Sequence, residues 1–78
     1  MDIFIEYCTA WNYLPEASRV ESELKSSYPD LNVKLIKGGG GIFEVKYNGK
    51  LLFSKKKTAE QRFPRQGEIA GLLKQEIG

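Results

Sequence analysis

The composition of the chain limits it to one small domain. With 78 residues, 41% of them hydrophobic and 28% charged, the sequence can build a single core, and we expect one domain over residues 1–78. The net charge of +2 is too small to indicate nucleic acid, and the lack of histidine excludes His-based acid–base catalysis and most zinc sites. A single cysteine, with no apolar leader and no apolar run of about 20 residues, predicts a reducing, cytoplasmic setting without membrane attachment.

The first half of the chain predicts a strand, a helix and a second strand. Period-two alternation over residues 2–7, with apolar residues on both faces, indicates a strand that is covered on both sides. Pro15 fits only the first turn of a helix, so we expect a helix that has Asn12 as its N-cap and ends before Pro29. Residues 31–36 then predict a strand parallel to the first, because a right-handed crossover joins the two.

The second half predicts a hairpin and a short helix. Four glycines at 38–41 indicate a flexible connection; they do not form a phosphate-binding loop, because no helix follows them. Residues 42–47 and 50–54 flank Asn48-Gly49, the strongest short signal for a type I′ turn. Apolar residues between Ile69 and Ile77 mark the last helix. We therefore predict an α/β (α+β) fold in the order β-α-β-β-β-α, with a four-stranded mixed sheet and helices on one or both faces.

The tetrad Cys8-Thr9-Ala10-Trp11 has the length of a CxxC redox motif, with an indole in the place of the second sulfur. Cys8 stands between the first strand and the first helix, where the unpaired N–H groups of a helix N-terminus favour a thiolate. We expect its sulfur to be exposed to solvent and partly ionised. The alternative is a buried, inert cysteine. For Trp11, the alternatives are an aromatic lid beside the thiol and a flat apolar contact for a partner.

Three blocks of the sequence carry a family resemblance. They are Tyr7-Cys8-Thr9-Ala10-Trp11, the stretch from Gly41 through Asn48-Gly49 to Lys57, and Arg62-Phe63-Pro64, in which we expect Phe63 to pack as a loop anchor. In this order and spacing the chain resembles the selenoprotein W-like (Rdx) family of thioredoxin-like proteins.

The resemblance implies a thioredoxin-like fold and a thiol-redox role. Cys8 stands for the family's first cysteine, Trp11 stands for its second cysteine or selenocysteine, and Thr9 and Ala10 complete the motif. The segment Gly40-Gly41-Ile42-Phe43 is implied as the binding segment opposite Cys8, where glycine would let a partner backbone approach.

A lone thiol cannot complete a redox cycle. After forming a mixed disulfide, Cys8 needs a second thiol from glutathione as co-substrate or from a thiol-containing protein client, so we expect at most a weak thiol–disulfide oxidoreductase. We expect a monomer with no bound cofactor or metal. The alternative is a non-catalytic protein-interaction module that keeps the surface around Cys8, Trp11 and Gly41. A third interpretation is that Trp11 replaces an ancestral or native selenocysteine, whose UGA codon differs from a tryptophan codon by one base.

Overall fold

Four strands and two α-helices follow one another in the predicted order. The computed structural model describes residues 2–78 and contains strand β1 (Asp2–Cys8), helix α1 (Leu14–Ser27), strands β2 (Asn32–Gly38), β3 (Phe43–Tyr47) and β4 (Lys50–Ser54), a 3₁₀ turn at Lys55–Lys57, and helix α2 (Glu68–Ile77). Neither α-helix in this part of the chain is long and apolar enough to cross a membrane.

The sheet is mixed, with β1 in an inner position. The strand order is β2-β1-β3-β4, and β1 pairs parallel with β2 and antiparallel with β3. The hairpin turn between β3 and β4 is confirmed, because Asn48 and Gly49 both have positive φ angles, of 48° and 88°. The parallel pairing of β1 with β2 is confirmed as well. This arrangement places the end of β1 beside the loop that leads into β3.

Both helices pack on one face of the sheet. The core joins apolar side chains of that face to those of the two helices and to Leu31, which precedes β2: Ile3, Ile5, Tyr7, Ala17, Val20, Leu24, Leu31, Phe43, Val45, Phe53, Ile69 and Leu73. Burying one such side chain contributes about 1.5–3 kcal/mol. The other face carries half-buried Phe4 and Glu6 and the exposed Lys34, Ile36 and Lys46. The prediction that β1 is covered on both sides is therefore wrong, because α2 packs beside α1 and does not cross to the far face.

The first helix starts close to Asn12, with Pro15 in its first turn as predicted, but the prediction that Asn12 is its N-cap is wrong. Helix α1 begins at Leu14, its N-cap is Tyr13, and Asn12 has a left-handed φ of 57°. The N–H of Asn12 donates to the Thr9 carbonyl at 3.1 Å, and the N–H of Tyr13 donates to the Cys8 carbonyl at 3.1 Å. Asparagine tolerates this conformation better than most residues, so it closes a tight turn at residues 9–12 and does not cap the helix.

Candidate functional site

Cys8 is the last residue of β1, and its side chain is fully buried, with 0% of its surface exposed. Its N–H donates to the Ile42 carbonyl at 2.9 Å, and it is paired with Gly38 of β2. A methyl group at Gly38 would come within 2.7 Å of Ile42 Cγ2, so the Ile42 side chain reaches across β1 at the level of Cys8. The expectation of an exposed sulfur at the mouth of a helix is therefore wrong, because the strand continues through Cys8 and Ile42 covers it.

Trp11, the last residue of the tetrad, is exposed to solvent, in contrast to Cys8. Thr9 and Ala10 are exposed, and 62% of the Trp11 surface is open to solvent. The indole rests on the backbone of Gly41, where an added methyl group would lie only 2.9 Å from Cε3 and 3.0 Å from Cη2. Gly41 has a φ of 76° and is itself buried. The space that glycine was expected to offer a partner backbone is thus filled by the protein's own indole.

The other residues of the predicted binding segment separate into surface and core. Gly40 is exposed and has a φ of 64°. A methyl group added at Gly40 would lie 3.8 Å from the Nζ atom of Lys56. Ile42 is half-buried. Phe43 is fully buried and pairs with Tyr7 in the sheet. The Phe43 side chain therefore belongs to the hydrophobic core and is not exposed to a partner.

Edge-to-face aromatic contacts connect Trp11 to the core. The ring centroids of Trp11 and Tyr13 are 6.1 Å apart, those of Tyr13 and Phe63 are 4.7 Å apart, and those of Phe63 and Phe43 are 5.3 Å apart. Such pairs contribute about 0.5–1.5 kcal/mol each beyond the area that they bury. The Nζ atom of Lys55 lies 5.6 Å from the Tyr13 ring centre and 5.4 Å from that of Phe63. The predicted packing of Phe63 is confirmed, whereas no sequence spacing indicated that Tyr13 and Lys55 would meet it.

Two arginines fix the loop that carries Phe63. Arg62 donates to both carboxylate oxygens of Glu68, at 2.8 and 3.0 Å, and Arg19 of α1 donates to the Pro64 carbonyl at 2.6 Å. Hydrogen bonds from Arg62 lower the pKa of the Glu68 carboxyl, which also accepts the N–H of Arg65. The aromatic side of the site therefore rests on an anchored loop.

The sequence model of one family matches almost the whole chain. Residues 2–75 match the Rdx family. This chain belongs to the Rdx family. The structure of a Bordetella parapertussis protein is 31% identical and superposes with a TM-score of 0.86, covering 96% of this chain and 95% of that one. A selenoprotein W-related protein from Vibrio cholerae is 24% identical, with a TM-score of 0.87 over 99% of this chain and 96% of that one. The thioredoxin-like fold and the selenoprotein W-like family are both confirmed.

Curated relatives of this Rdx domain match over a shorter stretch. Migration and invasion enhancer 1 from Bos taurus and from Mus musculus are each 36% identical over 53 residues, which is 68% of this chain and 46% of the relative. The chain thus spans about half the length of the curated relatives that it matches.

Proposed function

We propose that this Rdx domain is a protein-interaction module whose contact surface is centred on Trp11, and that it does not turn over thiols. The supporting observation is the contrast within one tetrad, since Cys8 is fully buried whereas Trp11 is 62% exposed. Tryptophan is enriched among the residues that dominate binding energy at protein interfaces. Because the indole already rests on Gly41, binding would cost little further ordering of this side chain. We place this module in the cytoplasm, where the free thiol of Cys8 stays reduced.

A monothiol redox role is the second candidate. Its support is that Cys8 occupies the position of the first cysteine in a family to which the chain belongs. Reaction would require the Ile42 side chain to move away from Cys8. The Cys8 thiolate would then attack a disulfide, form a mixed disulfide and release one thiolate. A glutathione or client thiolate would attack that bond in turn and return Cys8 to its reduced form. Trp11 would take no part in this thiol–disulfide exchange.

Photo-crosslinking in cells separates the two candidates. A photoreactive amino acid replaces Ala10, which is exposed beside Trp11. The interaction module predicts cross-linked protein complexes that disappear with Trp11→Ala. They persist with Leu14→Ala, a matched loss of another exposed apolar side chain, and with Cys8→Ala. Circular dichroism of each variant shows that it is folded.

Two results would contradict the interaction module. If Cys8→Ala or a reducing agent removes the complexes, the monothiol role replaces it. If Trp11→Ala leaves the cross-linking unchanged, the indole is not the contact.

A further inference from the structure

Two ammonium groups lie near the residues that surround the exposed indole. Lys55 and Lys56 belong to the 3₁₀ turn that follows β4. Lys55 Nζ lies over the ring of Tyr13, which contacts Trp11 edge to face. Lys56 Nζ lies beside Gly40, the neighbour of the glycine on which the indole rests. We call Trp11, Gly40, Gly41, Lys55 and Lys56 together the Trp11 surface.

The charge of these two lysines is not neutralised within the part of the chain that the structure describes. Between residues 2 and 78, no ion pair involves Lys55 or Lys56, whereas Lys50 is paired with Glu76 at 2.9 Å. The remaining ion pairs are all made by arginines with the carboxylates of other regions: Glu16, Glu23, Glu60 and Glu68. The Trp11 surface therefore combines one exposed aromatic ring with two ammonium groups that form no ion pair among the described residues.

We propose that the Trp11 surface, whose binding role rests on the function proposed above, recognises a protein segment that carries carboxylates next to an apolar side chain. The apolar side chain would lie against the indole, and the carboxylates would face the ammonium groups of Lys55 and Lys56. Lysine suits this task because its ammonium group is a compact charge on a flexible stem and accepts carboxylates in several geometries. Complementary charge of this kind favours encounter and register.

The charge balance of the chain disfavours nucleic acid, because ten acidic residues offset its twelve basic residues and leave a net charge of only +2. Serial base stacking needs open aromatic faces, and the indole of Trp11 rests on Gly41 with Tyr13 at its side.

Peptide titration tests the proposed partner class. The probe is a blocked peptide with one leucine between two runs of three glutamates, and the reference is the same peptide with glutamines. The readout is the NMR signal of the Trp11 indole N–H, which is unique because the chain has one tryptophan. The glutamate peptide is expected to bind the more tightly. Raising the salt concentration from about 0.05 to about 1 M should weaken it, because the Debye length falls from roughly 10 Å or more to about 3 Å.

Charge-matched variants show whether these lysines are responsible. Lys55→Gln combined with Lys56→Gln should weaken the glutamate peptide about three- to tenfold and leave the glutamine peptide unchanged. The control pair, Lys25→Gln and Lys74→Gln, removes the same charge near the C-terminal ends of the two helices and should have no such effect. Lys50 is the first residue of β4, at the opposite end of that strand from the 3₁₀ turn, and it pairs with Glu76. Lys74 is close to Glu76 in sequence, so this control position lies near that ion pair.

Each remaining outcome counts against one or both of the two proposals. Binding to the Trp11→Ala variant, which lacks the indole signal, is followed by the backbone amide signals of Gly40 and Gly41. If Trp11→Ala abolishes binding of both peptides but the lysine pair has no effect, the acidic partner class is wrong and the Trp11 interaction module stands. If neither change matters, both proposals fail. Tighter binding of a single-stranded oligonucleotide or of phosphatidylserine vesicles than of the glutamate peptide would overturn the acidic segment in favour of that polyanion.

Discussion

Two neighbouring glycines provide a matched test of how Trp11 is held. Gly40 and Gly41 both have left-handed φ angles, of 64° and 76°, so alanine at either position incurs a backbone cost of about 1–2 kcal/mol. Only at Gly41 would the new methyl group overlap the indole. We therefore expect Gly41→Ala to destabilise the fold more than Gly40→Ala does.

The extra cost at Gly41 follows from the buried part of the indole. Because 62% of the Trp11 surface is already exposed, displacement of the ring by the methyl group would expose to water only the smaller, buried part of that surface. At about 25 cal/mol per Å² this area is worth about 1–2 kcal/mol. Gly41→Ala should thus cost about 2–4 kcal/mol in total, against about 1–2 kcal/mol for Gly40→Ala.

Urea unfolding and tryptophan fluorescence measure the two effects separately. The free energy of unfolding gives the stability difference between the variants, and the emission maximum reports the environment of the sole tryptophan. In a Trp11→Ala background, Gly41→Ala should cost no more than Gly40→Ala, which gives a coupling of about 1–2 kcal/mol between positions 11 and 41. Equal costs for the two alanine variants with native emission in both would refute the packing of the indole on Gly41.

Three further predictions concern the core, the buried thiol and the anchored loop. Ile5→Ala should reduce the free energy of unfolding by about 2–5 kcal/mol because it leaves a cavity under the helices, whereas Ile36→Ala on the open face should cost well below that in the same urea titration. Cys8→Ser should cost about 1–3 kcal/mol, because it buries a hydroxyl group; stability equal to the native protein would show that the side chain reaches water. Arg62 lowers the pKa of Glu68, so this carboxylate stabilises the fold above its unfolded pKa of about 4.3, and that contribution is lost as pH falls through the lower folded value. Glu68→Gln should accordingly make the free energy of unfolding less dependent on pH in the acid range. An unchanged pH dependence would show that the interaction of Arg62 with Glu68 does not contribute to folding stability.

Local signals in the sequence were sufficient for most of the fold. Asn48-Gly49 predicted its hairpin because both residues accept positive φ, and the alternation of Ile3, Ile5 and Tyr7 identified the buried face of β1. Cover on both sides was predicted because Phe4 adds an apolar residue to the other face. Whether a helix covers that face depends on where α2 packs, and the pattern of β1 carries no information on this.

The candidate site was predictable in position but not in accessibility. The sequence located Cys8 at the end of the first strand and Trp11 just before the first helix, as the structure has them. The cover over Cys8 comes from Ile42, more than thirty residues away, and depends on Gly38 lacking a side chain that would block it. Similarly, the sequence predicts Asn12 as a helix cap because asparagine is a favoured N-cap residue. Asparagine also tolerates the left-handed conformation, which it adopts here. Only the hydrogen bonds of the turn at residues 9–12 decide between the two.

The rate at which iodoacetamide alkylates Cys8 in the native protein at pH 7 tests the central claim most directly. Because the sulfur is fully buried, we predict labelling at least about 100-fold slower than in the urea-unfolded chain, which corresponds to an opening cost of about 3 kcal/mol. Ile42→Ala should accelerate labelling by removing the cover, whereas Ile36→Ala should not. Native labelling as fast as in the unfolded chain would contradict the burial of Cys8 and, with it, the case for Trp11 as the functional end of the tetrad.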